Sequence, residues 1–247
     1  MKRIIALVMA LAICVSFAGC KKTMCSSKGC ENEAVDDSTF DEPYCSKHLE
    51  DKKAFKASYD AYTNISTAYE IIEEFGSDIY EAWRMGIYDD DEILDDGAAH
   101  LATELSLTAD EIRAGAVYTV YEDEWDTMSE KEKEEKMDYA DLYFYLMEDN
   151  LFSFCVMVVS NAYIVNGKVA KAQTALDAAK AQMKELSADY SDYEHYPNLK
   201  GYFTTTSSFF EFCQDPTGSF EQVKDTINKY RNDARDFISD LNYIFED

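Results

Sequence analysis

From residue 49 to the C-terminus, apolar and small residues recur at alternating steps of three and four, which places them along one seam of an α-helix. One run is Tyr62, Ile65, Tyr69, Ile72, Gly76, Ile79, Trp83 and Gly86. A second passes from Leu151 through Cys155, Val158, Ala162, Val165, Val169, Ala172, Leu176, Ala179 and Met183 to Leu186. A third takes Phe220, Val223, Ile227, Tyr230, Ala234, Phe237, Leu241 and Ile244, preceded by a shorter run from Leu199 to Cys213. The second run keeps its phase across Asn166-Gly167, so its helix is expected to continue through that turn-like pair. Thr108 with Glu111, Ser129 with Glu132, and Ser219 with Gln222 have capping-box spacing and mark helix starts. The pattern predicts helices over about 48–87, 130–187, 198–213 and 219–246, with short helices between 91 and 126.

The expected fold is all-α, an elongated antiparallel bundle of long heptad-patterned helices over residues 49–247. The first two long helices form two rods, and the last two, collinear across Asp215-Pro216-Thr217-Gly218, form a third. In that register Cys155 and Cys213 lie too far apart to bond, which predicts two separate buried thiols. Leu151 to Val165 is apolar on nearly every face, but it is too short to cross a bilayer and contains Ser153, Ser160 and Asn161. It reads as the central helix of the bundle, covered all round. Most aromatics fall on the seams, where they pack. Tyr190, Tyr193 and Tyr196, in the turn after the longest helix, are candidates for exposed contacts, and Gly76 and Gly86 for close helix approach.

Composition supports long helices, with nine Gly and three Pro in 247 residues. That is well below the roughly 12% that these two residues make up in an average globular protein. Few turn formers argue against sandwiches, barrels and open α/β sheets. A net charge of −26 makes nucleic acid an unsuitable partner. Residues 89–135 hold 17 acidic and three basic side chains, so half the charge left after residues 1–19 are removed lies in this segment. Asp89, Asp90, Asp91, Glu92, Asp95 and Asp96 open it and are candidate partner contacts. A calcium site fits them poorly, because the acids do not alternate as in an EF-hand loop.

Residues 1–19 carry Lys2 and Arg3, an apolar run from Ile4 to Phe17, and small residues before Cys20, the layout of a signal peptide. Phe17-Ala18-Gly19-Cys20 resembles a bacterial lipobox, with Phe17 where Leu is usual. The resemblance implies cleavage before Cys20, its lipidation, and a protein tethered to the outer, extracytoplasmic face of a cell membrane. The alternative is an ordinary secretory signal that ends in Gly19-Cys20.

Beyond that anchor, residues 20–48 contain Cys25, Cys30, Cys45 and His48 at the spacing C-x4-C-x14-C-x2-H. Two short loops could each supply a pair of ligands to one tetrahedral ion. The stretch resembles small zinc knuckles with three cysteines and one histidine, which implies a structural Zn²⁺. The rival is a disulfide that leaves one thiol over, since an extracytoplasmic compartment can be oxidising. His100 and His195 have no catalytic or ligand-spaced partners, and there is no metalloprotease, serine-hydrolase, phosphate-loop or dinucleotide motif. The chain is therefore expected not to be an enzyme. Its expected role is that of a membrane-anchored helical interaction or scaffold protein with a protein partner in the cell envelope. The alternatives are a ligand- or cation-binding sensor module and a metal-handling lipoprotein.

Overall fold

The computed structural model describes residues 22–245. The signal peptide read over residues 1–19 and the lipidation read at Cys20 lie outside the described residues. Among the described residues there are ten α-helices, two 3₁₀ turns and no sheet. The described residues divide into two compact units, one up to residue 56 and the other from residue 57 onward. Helix α1 (Ser46–Tyr88) runs from the first into the second.

The described part of the first unit is two loops followed by the start of α1. An isolated antiparallel bridge joins Met24 and Glu33, and the amide of Val35 donates to the carbonyl of Tyr44 at 2.9 Å. Its buried apolar side chains are few: Cys25, Cys45, Leu49 and Ala54.

The second unit continues with α2 (Asp90–Asp96), α3 (Ala98–Leu101), α4 (Ala109–Tyr121), α5 (Glu130–Met137) and α6 (Ala140–Leu146). It ends with α7 (Leu151–Val165), α8 (Lys168–Asp189), α9 (Tyr196–Gln214) and α10 (Phe220–Phe245). Each of the last four touches α1. As residue numbers rise along α1, its partners fall along α8 and α7. Asn64 donates to Gln182 at 3.0 Å, Phe75 stacks on Tyr163 at 4.4 Å, and Trp83 stacks on Phe152 at 6.1 Å. Partners on α9 rise instead, from Tyr202 beside Tyr69 to Phe209 beside Gly76. On α10 they fall again, from Asn242 bonded to Tyr62 to Phe220 stacked on Tyr80 at 5.2 Å. Gly76 and Gly86 do permit close approach. A Cβ on Gly76 would lie 2.6 Å from the Phe209 ring, and one on Gly86 would lie 2.5 Å from the Phe152 backbone.

Three expectations are corrected. The helix expected over 130–187 is broken into α5, α6, a 3₁₀ turn, α7 and α8. The segments on either side of Met147 meet at 77°. The Asn166-Gly167 pair is a true break, with Gly167 at φ +80°, where side chains are strained and glycine is not. The last two helices are not collinear, because α10 folds back on α9. Gly201 abuts Phe237, and Phe209 stacks on Tyr230 at 5.2 Å. Finally, α7 is not covered all round. Leu151, Phe154, Cys155, Val158, Val159, Ala162 and Tyr163 are buried, but Phe152, Met157 and Ile164 are exposed.

Cys155 and Cys213 are separate, buried, free thiols, although the folded-back hairpin removes the register from which that was expected. Burial pushes Cys155 up to about 12 and raises Cys213 as well. Tyr190, Tyr193 and Tyr196 are each half-buried, and Tyr190 and Tyr196 pack against the core. Among the described residues no single helix is long and apolar enough to cross a membrane. The bent pair of α6 with residues 148–165 reaches that length and apolarity only when taken together.

Candidate metal centre

The loop from Cys25 to Cys30 is shaped by one tight turn, in which the Cys30 amide donates to the Ser27 carbonyl at 3.0 Å. Gly29 occupies the third turn position at φ +78°, the value such a turn demands of glycine. The amide of Cys25 is held by the Asn32 carbonyl at 3.0 Å, and that of Ser26 by Pro43 at 2.8 Å, which joins the first loop to the second. Cys45 sits just before α1, and its carbonyl accepts from the Leu49 amide at 2.9 Å as the first bond of the helix. His48, one turn-step later, is carried on α1 itself.

These local constraints bring four ligand atoms together. The Sγ atoms of Cys25 and Cys45 lie 3.3 and 3.4 Å from Nδ1 of His48, and those of Cys30 and Cys45 lie 3.8 Å apart. All four ligand atoms fall within 4.8 Å of one another, an arrangement able to coordinate a metal ion. The cysteines are free, and a 3.8 Å separation is far beyond the roughly 2.05 Å of a disulfide. The inward-facing nitrogen is Nδ1, a detail that spacing alone did not specify.

The surroundings act oppositely on two of the thiols. Desolvation opposes ionisation of Cys25, but the amides of Cys45 and Ser27 and the His48 ring outweigh it and bring the thiol down to about 5. The Asn32 amide draws Cys30 the same way, yet desolvation and the neighbouring Cys25 and Cys45 sulfurs win and hold it above its ordinary value. Lys53 of α1 reaches back to Asp37 at 3.1 Å and braces the second loop.

Among the described residues no second group of three or more histidine, cysteine and carboxylate ligand atoms comes together closely enough to hold a metal ion. Asp90, Asp91, Glu92, Asp95 and Asp96 are exposed on or beside α2. Asp89 is half-buried, 3.4 Å from Arg84 and 3.9 Å from His100 Nε2. What the sequence reading missed is a buried polar cluster in the second unit. Asp78 of α1 accepts from the Ser106 amide at 3.1 Å, the Ser106 hydroxyl at 2.5 Å and the Tyr163 hydroxyl at 2.9 Å. Tyr163 also reaches Glu74 at 3.2 Å, which pairs with Lys168. The cluster fastens the loop before α4 to α1 and α7. Compared with known proteins, the chain matches no family model, no curated protein sequence and no solved structure.

Proposed function

We propose that the chain is a membrane-anchored extracytoplasmic lipoprotein in which a structural Zn²⁺ sets the fold of the first unit. In this reading the helical unit is a non-catalytic interaction scaffold for a protein partner of the cell envelope. The observation that carries the reading is the spacing of the clustered ligand atoms, three of whose separations are close to those of a zinc site. Zn–S bonds of about 2.3 Å and Zn–N bonds of about 2.0–2.1 Å at tetrahedral angles separate two sulfurs by about 3.8 Å and a sulfur from a nitrogen by about 3.5 Å. The cluster has 3.8 Å between Cys30 and Cys45, and 3.3 and 3.4 Å from Cys25 and Cys45 to His48. Three thiolates and one imidazole suit zinc, whereas calcium and magnesium take oxygen ligands. Four protein ligands close the coordination shell and leave no position for a water nucleophile, which supports a structural role.

The anchor is supported by the lipobox-like Phe17-Ala18-Gly19-Cys20, and the partner by the exposed carboxylates from Asp90 to Asp96 in the acidic segment 89–135. The test is metal analysis of the purified chain together with the mass of its N-terminal peptide. One tightly held zinc per chain, lost in Cys45→Ser, and a diacylglycerol adduct on Cys20 are the expected results. Stoichiometry above one, or zinc lost on simple dialysis, would favour a metal-handling protein instead. A ligand-binding module is the second reading, favoured by an open groove of about 390 Å³ whose lining includes Trp83, Phe152, Val156, Met157 and Pro216. Thermal shifts across sugars, peptides and divalent ions that leave the unfolding temperature unchanged would remove it.

A further inference from the structure

Helix α6 and the residues beside it carry more apolar surface than their packing uses. Ala140 and Phe144 face the core and are fully buried. On the other side Tyr139, Leu142, Tyr145 and Leu146 are 67%, 52%, 59% and 67% exposed, and Met147 continues the face. Five large apolar side chains are exposed within nine residues, a density of apolar surface that a folded protein rarely shows to solvent without a use.

The patch is set in negative charge. Residues 122–149 hold twelve acidic side chains against three lysines, a net of −9. The three lysines are already engaged: Lys131 with Glu135 at 3.1 Å, Lys133 with Glu130 at 3.2 Å, and Lys136 over the Tyr121 ring at 3.5 Å. Beside α6 lies an open cavity of about 490 Å³ lined by Asp110, Arg113, Glu134, Met137, Asp138 and Asp141. Arg113 is taken up by Asp110 and Asp141, both at 3.1 Å. Among the described residues no cation pairs with the side chains of Glu134 or Asp138.

We propose that the apolar face of α6 and its acidic surround dock a basic segment of a partner protein, one that carries its own apolar face beside lysine or arginine. Charge decides the occupant. A second copy would set one net −9 segment against another across a twofold axis. A bilayer bearing anionic lipids would repel the carboxylates of Glu148 and Asp149 that adjoin Met147. A basic segment gains from both features, burying its apolar side chains on Tyr145 and Leu146 and placing a cation against Glu134 and Asp138. The proposal rests on the reading of the chain as an interaction protein and gives that reading a place and a partner chemistry.

The probe is a fluorescent amphipathic helical peptide with leucines on one face and lysines on the other, titrated against the full chain by anisotropy. Comparison probes are the same residues in scrambled order and a glutamate-for-lysine analogue. The lysine–leucine helix should bind, more weakly as salt rises, and the other two should bind at least about tenfold less tightly. Tyr145→Ser with Leu146→Ser, both exposed, should weaken binding about tenfold or more, the loss typical of anchor contacts. Glu134→Gln with Asp138→Asn should weaken it several-fold and flatten the salt dependence. Asp177→Asn with Asp189→Asn on α8 should change nothing, since total charge alone would respond to it equally. Equal binding by both paired variants of the α6 surface, or by the scrambled peptide, overturns the proposal. So does vesicle binding or self-association that the Tyr145 and Leu146 substitutions abolish while peptide binding persists. A chain that holds no zinc and no lipid, yet binds the peptide through α6, would defeat the proposed function and leave this surface standing.

Discussion

Asp78 is the least expected side chain of the second unit, a carboxylate that is 3% exposed on the core-facing side of α1. Desolvation lifts its pKa above the ordinary value even though Ser106 and Tyr163 donate to it, and the nearby Glu74 adds to the rise. A raised folded pKa means that the protonated form favours the fold. Its contribution is full below the unfolded value of about 3.9 and is lost as pH rises through the folded one. Glu74 has the opposite sign. Desolvation works to raise it, but Lys168, Ser106 and Tyr163 hold it below its ordinary value, so its contribution is present above the unfolded value and lost as pH falls. Asp78→Asn removes only the first of these titrations. The stability of the parent chain relative to this variant should therefore grow as pH is lowered from neutral toward about 4, read from urea midpoints at each pH. A difference that stays flat with pH would mean that the fold does not perturb Asp78. Independently, Tyr163→Phe leaves the buried carboxylate short of a donor and should cost about 1–3 kcal/mol. None of this was legible in the sequence, because Asp78 and Tyr163 are 85 residues apart and each looks unremarkable within its own helix.

The helices were legible in kind and less so in their ends and directions. Apolar spacing located α1, α9 and α10 closely, because each is one uninterrupted seam bounded by a cap or a breaker. It failed across 130–187, where buried positions continue in phase on both sides of Gly167, so the pattern could not report the break. Nor could it report that α10 turns back on α9, since the same seam would serve two collinear helices. Glycines on α1 were read correctly as close contacts because a seam position without a side chain has few other uses. Two substitutions separate these causes. Gly86→Ala would push a Cβ against the Phe152 backbone, which cannot yield like a flexible side chain, and should cost about 1–3 kcal/mol. Gly167→Ala meets nothing within 4 Å, so its cost is the left-handed backbone alone, about 1 kcal/mol. Thermal melts should rank Gly86→Ala below Gly167→Ala, and the reverse order would place strain at 166–167 beyond the backbone term.

The two units differ in what holds them. The second buries an extensive apolar cluster drawn from α1 to α10, whereas the described first unit buries Cys25, Cys45, Leu49 and Ala54. Two of those four are the proposed metal's own ligands. Structural zinc contributes roughly 10–16 kcal/mol in small finger peptides, more than such a core could supply. The site was legible in the sequence for the same reason that it is separable. Cys25 and Cys30 share one loop, Cys45 and His48 share the start of one helix, and no distant element is needed to assemble them. Chelation should therefore unfold the first unit and leave the second intact. In hydrogen exchange, amides that tie the loops together, such as Cys25, Ser26 and Val35, should lose protection, while those of α1 beyond residue 57 and of α7 to α10 keep theirs. Alkylation mapped by mass spectrometry should then label Cys25, Cys30 and Cys45 but spare Cys155 and Cys213, which are buried in the second unit. Labelling of Cys155 or Cys213 on chelation alone would show that the helical unit depends on the metal. The site would then stabilise the whole chain, and the two units would unfold as one.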